Sequence, residues 1–385
     1  MRIAIVGAGL MGRLAALSLH RQGYHISLFD KDDKSAHHSA AYAAAGLLTP
    51  LGESLHCEAN IVNMGFASLK MWPKILARLS EYTFFQQDGA LMVSHEQDRG
   101  DYLRFVRHLQ KHYPRHQVEQ LNRQGLEALE PELGRSFNQG LFLPQEGQIG
   151  NRKLLVALRH ELEKEDIDWQ AGHEIQSISQ QADGCRLSIN GQQRDFDLVI
   201  DCRGTGARKN HQDLEHDFSD LRAVRGELFQ LLAPEVNISR PVRLMHPRYQ
   251  LYIAPKGKGF YVVGATEIES DDTGPMTVRS ALELLSAAYS VHPGFAEAQI
   301  RQHVSQCRPA FSDNQPKIIA KPSLIQVNGL YRHGFLIAPV ILEQLQLLVA
   351  AYAKTPNAMP ESLELDNFSF PELFSIRNPE YEHIY

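Results

Sequence analysis

Cysteine is scarce. Four occur in 385 residues, Cys57, Cys185, Cys202 and Cys307, all far apart in sequence. No CxxC pair exists, so neither a disulfide framework nor a thiolate zinc or redox site is expected, and no metal is assigned. A basic excess is also missing: the formal net charge is −6 and no Lys/Arg-rich run occurs. That excludes a general nucleic-acid binder, whose footprint is basic. No run of 18 uninterrupted apolar residues appears, so no membrane span is expected. The start lacks a charged segment, an apolar core and a small-residue cleavage site, so no signal peptide is expected. These absences read as a cytoplasmic protein with reduced thiols. What is present is an apolar fraction of 43%, enough for a sizeable core and for two domains.

The first thirty residues carry a complete unit. Ile3 to Val6 is a short β-branched run. Gly7-Ala8-Gly9-Leu10-Met11-Gly12 follows at once, then a helix from Leu14 to Gln22, a stop at Gly23, and a second strand from His25 to Phe29 that closes on Asp30. Strand, GxGxxG, helix, strand and acid form the dinucleotide fingerprint. Gly7 makes the tight turn, Gly9 lets the backbone approach a pyrophosphate, and Gly12 lets helix and strand pack. The helix N-terminus turns unpaired N–H groups toward the phosphates, and Asp30 is placed for a ribose hydroxyl. The unit leaves NAD and FAD both open.

Further elements follow from periodicity. His56 to Leu79 has apolar residues at helical spacing and reads as a core helix. Lys153 to Lys164 is a second helix, followed by strands toward Ile178 and Leu187. Leu251–Ala254 and Phe260–Val263 read as a hairpin across Pro255–Gly259. Val278 to Val291 reads as an amphipathic helix with Leu282, Leu285, Ala288 and Tyr289 on one side. Ala338-Pro339 would open a helix over Val340–Ala353, proline being favoured at the first helical position. The segment SAAYAAAGLL, Ser39 to Leu48, reads by composition as an Ala-rich helix, although small side chains would also let backbone approach a flat ring.

With GxGxxG, Asp30 and the AAAGLL loop in place, the chain resembles the D-amino-acid-oxidase family of FAD enzymes. DLVIDCRGTGA (Asp197–Ala207), VRGEL (Val224–Leu228), YIAPKGKGFYVVGAT (Tyr252–Thr266), Arg308-Pro309-Ala310 and Tyr331–Pro339 extend the likeness over roughly residues 1 to 355. Within the family it looks most like the glycine-oxidase branch linked to thiamine biosynthesis. The resemblance implies an α/β fold: a Rossmann-type FAD domain (1–80, 150–215 and 310–355) interleaved with an antiparallel-sheet substrate domain (81–149 and 216–309), then a tail over 356–385. The tail is acidic and aromatic, with Phe368, Phe370 and Phe374, and is expected to lie along the surface.

The resemblance also implies a site. Arg308 would pair bidentately with a substrate carboxylate, as the planar guanidinium allows, and Tyr252 would hold the same group. By themselves, an arginine before a proline reads as structural and Tyr252 as a half-buried strand aromatic. Arg332 would meet either the substrate's polar end or backbone carbonyls. The implied cofactor set is Gly7, Ala8, Gly9, Leu10, Met11, Gly12, Asp30, Lys31, Ala44, Ala45, Gly46, Leu47, Ile175 and Gly204. His333, Gly334, Phe335, Leu336 and Ile337 would add backbone N–H groups beside the flavin, with a helix N-terminus toward its N1–C2=O edge. His333 reads as structural rather than as a base, and Cys307 as a small buried thiol rather than a flavin attachment point.

The activity implied is FAD-dependent oxidation of glycine, a small amino acid or a secondary amine, with oxygen as acceptor and hydrogen peroxide as product. A homodimer or homotetramer is implied. Rival readings are an NAD-dependent dehydrogenase, a D-amino acid dehydrogenase using a non-oxygen acceptor, and a non-catalytic flavin-binding protein. Gln250, Lys256 and Thr49-Pro50-Leu51-Gly52 depart from the family pattern and leave the preferred substrate open.

Overall fold

The computed structural model describes residues 1–210, 218–246, 251–354 and 369–376. Gln250 and Phe368 lie outside the described residues. Strand β1 (Arg2–Val6) enters the core at once, because Ile3, Ala4 and Ile5 are fully buried. Helix α1 (Leu10–His20) returns from it to strand β2 (His25–Asp30), which pairs parallel with β1. The GxGxxG run therefore turns from strand into helix, and Gly12 is the first-turn packing point. A Cβ there would stand 1.7 Å from Gly7 O, so no other residue fits.

Two large sheets organise the chain. The first has seven strands in the order Phe374–Ile376, Lys317–Lys321, Leu324–Asn328, Leu198–Asp201, β1, β2, Asp168–Ala171. Its centre is parallel and buried on both faces, which is why these strands read as near-continuous apolar runs. Helices Leu10–His20, Ala59–Leu76, Asn151–Lys164 and Gly334–Lys354 contribute to its core. The second sheet has nine strands and is mostly antiparallel. Its longest pair joins Arg222–Leu232 to Gln299–Ala310. The helix Val278–Val291 packs on it.

The hairpin Leu251–Pro255 with Phe260–Gly264 forms as read from the sequence. Other expectations are corrected. The helix Ala59–Leu76 is shorter at both ends than His56–Leu79. Ser39 to Leu48 is no helix: it is a series of turns ending in the two-residue strand Leu47–Leu48. On Val278–Val291 the buried face is Leu284, Ala287, Ala288 and Val291, while Leu282 and Tyr289 are exposed. The tail does not merely lie on the surface. Phe374–Ile376 adds a parallel strand to the first sheet, and Leu373 is buried.

The closing helix differs most from expectation. It runs from Gly334 to Lys354 behind a short turn at Tyr331–His333, so Pro339 lies inside it. Proline has no N–H and leaves the carbonyl four residues earlier without its helical donor. That carbonyl belongs to Phe335, and the Trp72 indole N–H donates to it at 2.9 Å. The neighbouring helix thus repairs the bond that Pro339 removes. The segment Tyr331–Lys354 is long and apolar enough to cross a membrane, contrary to the expectation from uninterrupted runs. However, 67% of its most apolar window is buried inside the protein, which accounts for its composition.

Candidate functional site

A cleft of about 770 Å³ opens where β1, β2, Leu198–Asp201 and Leu324–Asn328 end, and extends to the second sheet. Ligands of open α/β sheets bind at these carboxyl ends. Val6, Asp30, Cys202 and Asn328 mark the four strand ends along the wall, and Tyr252, Gly226 and Arg308 come from the second sheet.

One end is built from backbone. Gly7, Gly9, Leu10 and Met11 line it, together with Asp30, Lys31, Ala44, Ala45, Gly46, Leu47, Ile175 and Gly204. Gly9 caps α1 without any side-chain bond, so its first-turn N–H groups are offered to the cleft rather than to the protein. Asp30 accepts hydrogen bonds from the N–H groups of Ala8 and Asp32, and burial raises its carboxyl above the ordinary value. This use of Ala8 takes it out of the expected ligand set. Ala8 and Gly12 shape the turn from behind, and neither lines the cleft. Arg13, which the sequence reading passed over, is 1% exposed and ties three carbonyls together: Ala8 and Leu155 at 2.7 Å and Lys34 at 2.9 Å. The Asn151 amide holds the Ala41 and Tyr42 carbonyls at 2.9 and 3.2 Å, which keeps the small-residue loop open toward the cleft. An uncapped helix N-terminus, an acid at the end of β2 and a loop of alanines fit FAD.

The other end is built from charged side chains. Glu53, on the short helix Pro50–Glu53, sits between two arginines. Arg243 from Val242–Leu244 bonds to it and also donates to Thr49 Oγ1 at 3.0 Å. Arg332 reaches it through Nε at 2.8 Å and also through Nη2. Burial alone would raise the Glu53 carboxyl, but Arg243 and Arg332 hold it well below the usual carboxylate range. Arg332 therefore meets side-chain carboxylates here. Its Nη1 pairs with Glu267 at 3.0 Å. Neither Glu53 nor Arg243 was found from sequence. The signal available was Thr49-Pro50 beside an acid, a helix start directly after the alanine loop. Arg243 carries no local signal.

Gly334, Phe335 and Leu336 line the cleft as expected, and Ile337 does not. The His333 N–H is used by Leu330 O at 3.0 Å, so it is not free for a flavin. Its ring is buried 3.8 Å from Glu53, and burial lowers its pKa to about 4, leaving it neutral. Arg308 and Tyr252 both face the cleft. The Arg308 guanidinium lies over Gly226, where a Cβ would fall 2.2 Å from Nη2, and its Nη1 donates to Thr266 O at 3.1 Å. Tyr252 stands over Gly264 in the hairpin, and burial raises its hydroxyl pKa, so it remains a donor. Lys256 points elsewhere, to Gln148 Oε1 at 2.8 Å and Ile149 O, and burial lowers it to about 7. Cys307 is buried, its thiol raised by burial, with Sγ 3.4 Å from Ser270 O.

A family model described as FAD dependent oxidoreductase (DAO) matches residues 2–344. The putative thiamine biosynthesis oxidoreductase ThiO of Rhizobium etli is 35% identical over 361 residues, covering 94% of this chain and 99% of that protein. The crystal structure of glycine oxidase from Geobacillus kaustophilus superimposes with a TM-score of 0.81 at 21% identity, over 98% of this chain and 99% of that one. Iminodiacetate oxidase from Chelativorans sp. BNC1 gives 0.78 at 21% identity, over 98% and 100%.

Proposed function

Given that the chain belongs to the DAO family of FAD-dependent oxidoreductases, we propose that it oxidises glycine or another small amino acid or secondary amine. The observation that carries this reading is the pair Arg308 and Tyr252, both facing the cleft beside the N-terminus of the closing helix. When bound, FAD would supply a hydride acceptor at N5 and, with oxygen as the final acceptor, a route to hydrogen peroxide. The chain's own residues hold and orient. Arg308 takes the substrate carboxylate in the fork geometry of a guanidinium, and the Tyr252 hydroxyl donates to the same group. The amine reacts as the neutral species, its ammonium proton having passed to water, and loss of hydride leaves a protonated imine. Water then converts the imine to a 2-oxo acid and ammonia. We assign the cofactor to residues 1–80, 150–215 and 310–355, and the substrate to 81–149 and 216–309. The first sheet draws its central strands from the former segments, and the second sheet from the latter up to Ala310.

An anaerobic absorbance titration with glycine, sarcosine, D-alanine and D-proline tests this reading. Bleaching of the flavin band by one of them, with peroxide released on admitting air, is expected. A flavin band that none of the four bleaches overturns it.

A further inference from the structure

Thr266 lies where the second sheet changes register. Strand Arg222–Leu232 pairs Leu228 with Gly264, and then Arg225 with Ile268. Gly226 and Glu227 thus face Ala265, Thr266 and Glu267, and the extra residue makes a bulge. A bulge takes main-chain groups out of the ladder and re-aims what it carries. All three of its residues line the cleft.

The bulge is tied down by one side chain. The Thr266 N–H donates to Glu227 O at 3.2 Å, and the Glu227 N–H donates to Thr266 Oγ1 at 2.9 Å. The Thr266 hydroxyl in turn donates to Glu227 Oε2 at 3.1 Å. Glu227 is fully buried, and Arg225 donates to its Oε1 through Nε at 3.0 Å and Nη2 at 2.6 Å. Burial would raise this carboxyl, but hydrogen bonds from Ser280, Arg225 and Thr266 hold it below its ordinary range, so it stays an acceptor. The Thr266 hydroxyl therefore stands in for a ladder bond, and the Thr266 carbonyl is turned to Arg308.

Arg308 stands opposite Val224 in the longest strand pair, and its guanidinium crosses Gly226, where a Cβ would fall 2.2 Å from Nη2. Nη1 then ends on Thr266 O at 3.1 Å. A long side chain loses rotamer freedom when it grips a ligand. An acceptor on one arm removes part of that cost before a carboxylate arrives, and so strengthens its binding.

Building on the amino-acid oxidation proposed above, we propose that Thr266 is a positioning residue: its hydroxyl, locked onto Glu227, presents the Thr266 carbonyl to Arg308 and so fixes the fork that takes the substrate carboxylate.

The test uses the FAD-loaded protein and glycolate, a carboxylate without an amine, titrated anaerobically against the flavin absorbance. Thr266→Val and Thr266→Ala both remove the hydroxyl, so a failure of one to load FAD leaves the other. Thr266→Ser keeps it. The first two variants are expected to weaken glycolate by about tenfold, the worth of one or two hydrogen bonds. KM for glycine should rise in parallel, with kcat moving far less and flavin content kept. Thr266→Ser is expected to restore the affinity of wild type. Undiminished glycolate binding without the hydroxyl, an equal loss in all three variants, kcat falling in place of KM, loss of flavin from both Thr266→Val and Thr266→Ala, or no glycolate binding by wild type overturns the proposal. Glycine bleaching of wild type is read separately: its failure would sink the oxidation reading, while glycolate binding still judges Thr266.

Discussion

At the end of the cleft proposed for the cofactor the wall is mostly main chain. Gly7, Gly9 and the first turn of α1 present N–H groups, and the acid that ends β2, Asp30, is held by two more N–H groups. At the end proposed for the substrate the wall is side chain. Glu53, Arg243, Tyr252, Glu267, Arg308 and Arg332 come from six separated segments, and Glu53, Arg243, Glu267 and Arg332 depend on each other for charge balance. The first arrangement is local and tolerates little change in shape. The second is assembled by the fold and tolerates little change in charge. A buried ion pair contributes less than its geometry suggests, but removing one partner strands the other.

The largest effect is expected from attacking shape. In Gly12→Ala, the new Cβ would overlap Gly7 O, and the cost is about 4 kcal/mol or more. The readout is loss of the bound flavin spectrum and of cooperative unfolding. Glu53→Ala attacks charge: Arg243 and Arg332 lose their shared partner, and urea unfolding should show a loss of about 3–5 kcal/mol. If it costs no more than an exposed pair would, the two ends do not differ in the way described.

Arg308→Ala sharpens the contrast from the ligand side. Truncating one partner of a buried charged contact costs about 2–5 kcal/mol, so KM for the amino acid should rise at least about thirtyfold while FAD stays bound. Unchanged kinetics would remove Arg308 from the carboxylate site.

The smallest effect is a pH slope. His333 is held at about 4 by burial, against 6.5 when unfolded. Between these values the unfolded chain binds a proton that the native state does not, so stability rises with pH through this window. Acidification from pH 6.5 to 4 should therefore cost up to about 3 kcal/mol from this group. In His333→Asn that part of the slope should vanish, while the Glu53 contribution, lost only as pH falls further through its depressed range, should remain.

The same contrast explains what could be read early. The opening unit was legible because its turn, packing glycine and terminal acid are adjacent in sequence. Arg308, Tyr252 and Arg332 were reached only through family likeness, and the partners of Arg332 were not reached at all. Pro339 misled because a proline normally opens a helix; the Trp72 indole, donated from another helix, let it stand inside one. Leu282 and Tyr289 misled because apolar spacing names a stripe and not which side of it meets the sheet.

By itself, the sequence determined the opening strand, glycine turn, helix and strand, since hydrophobic period and glycine spacing are local and survive without knowledge of neighbours; the α/β class and the family came through likeness. Only the tertiary structure decided that Glu53 joins Arg243 to Arg332 and that Glu267 reaches Arg332 as well. Those contacts span up to 279 residues of chain, and a charge declares its partner only when folding has excluded the water that would otherwise screen it.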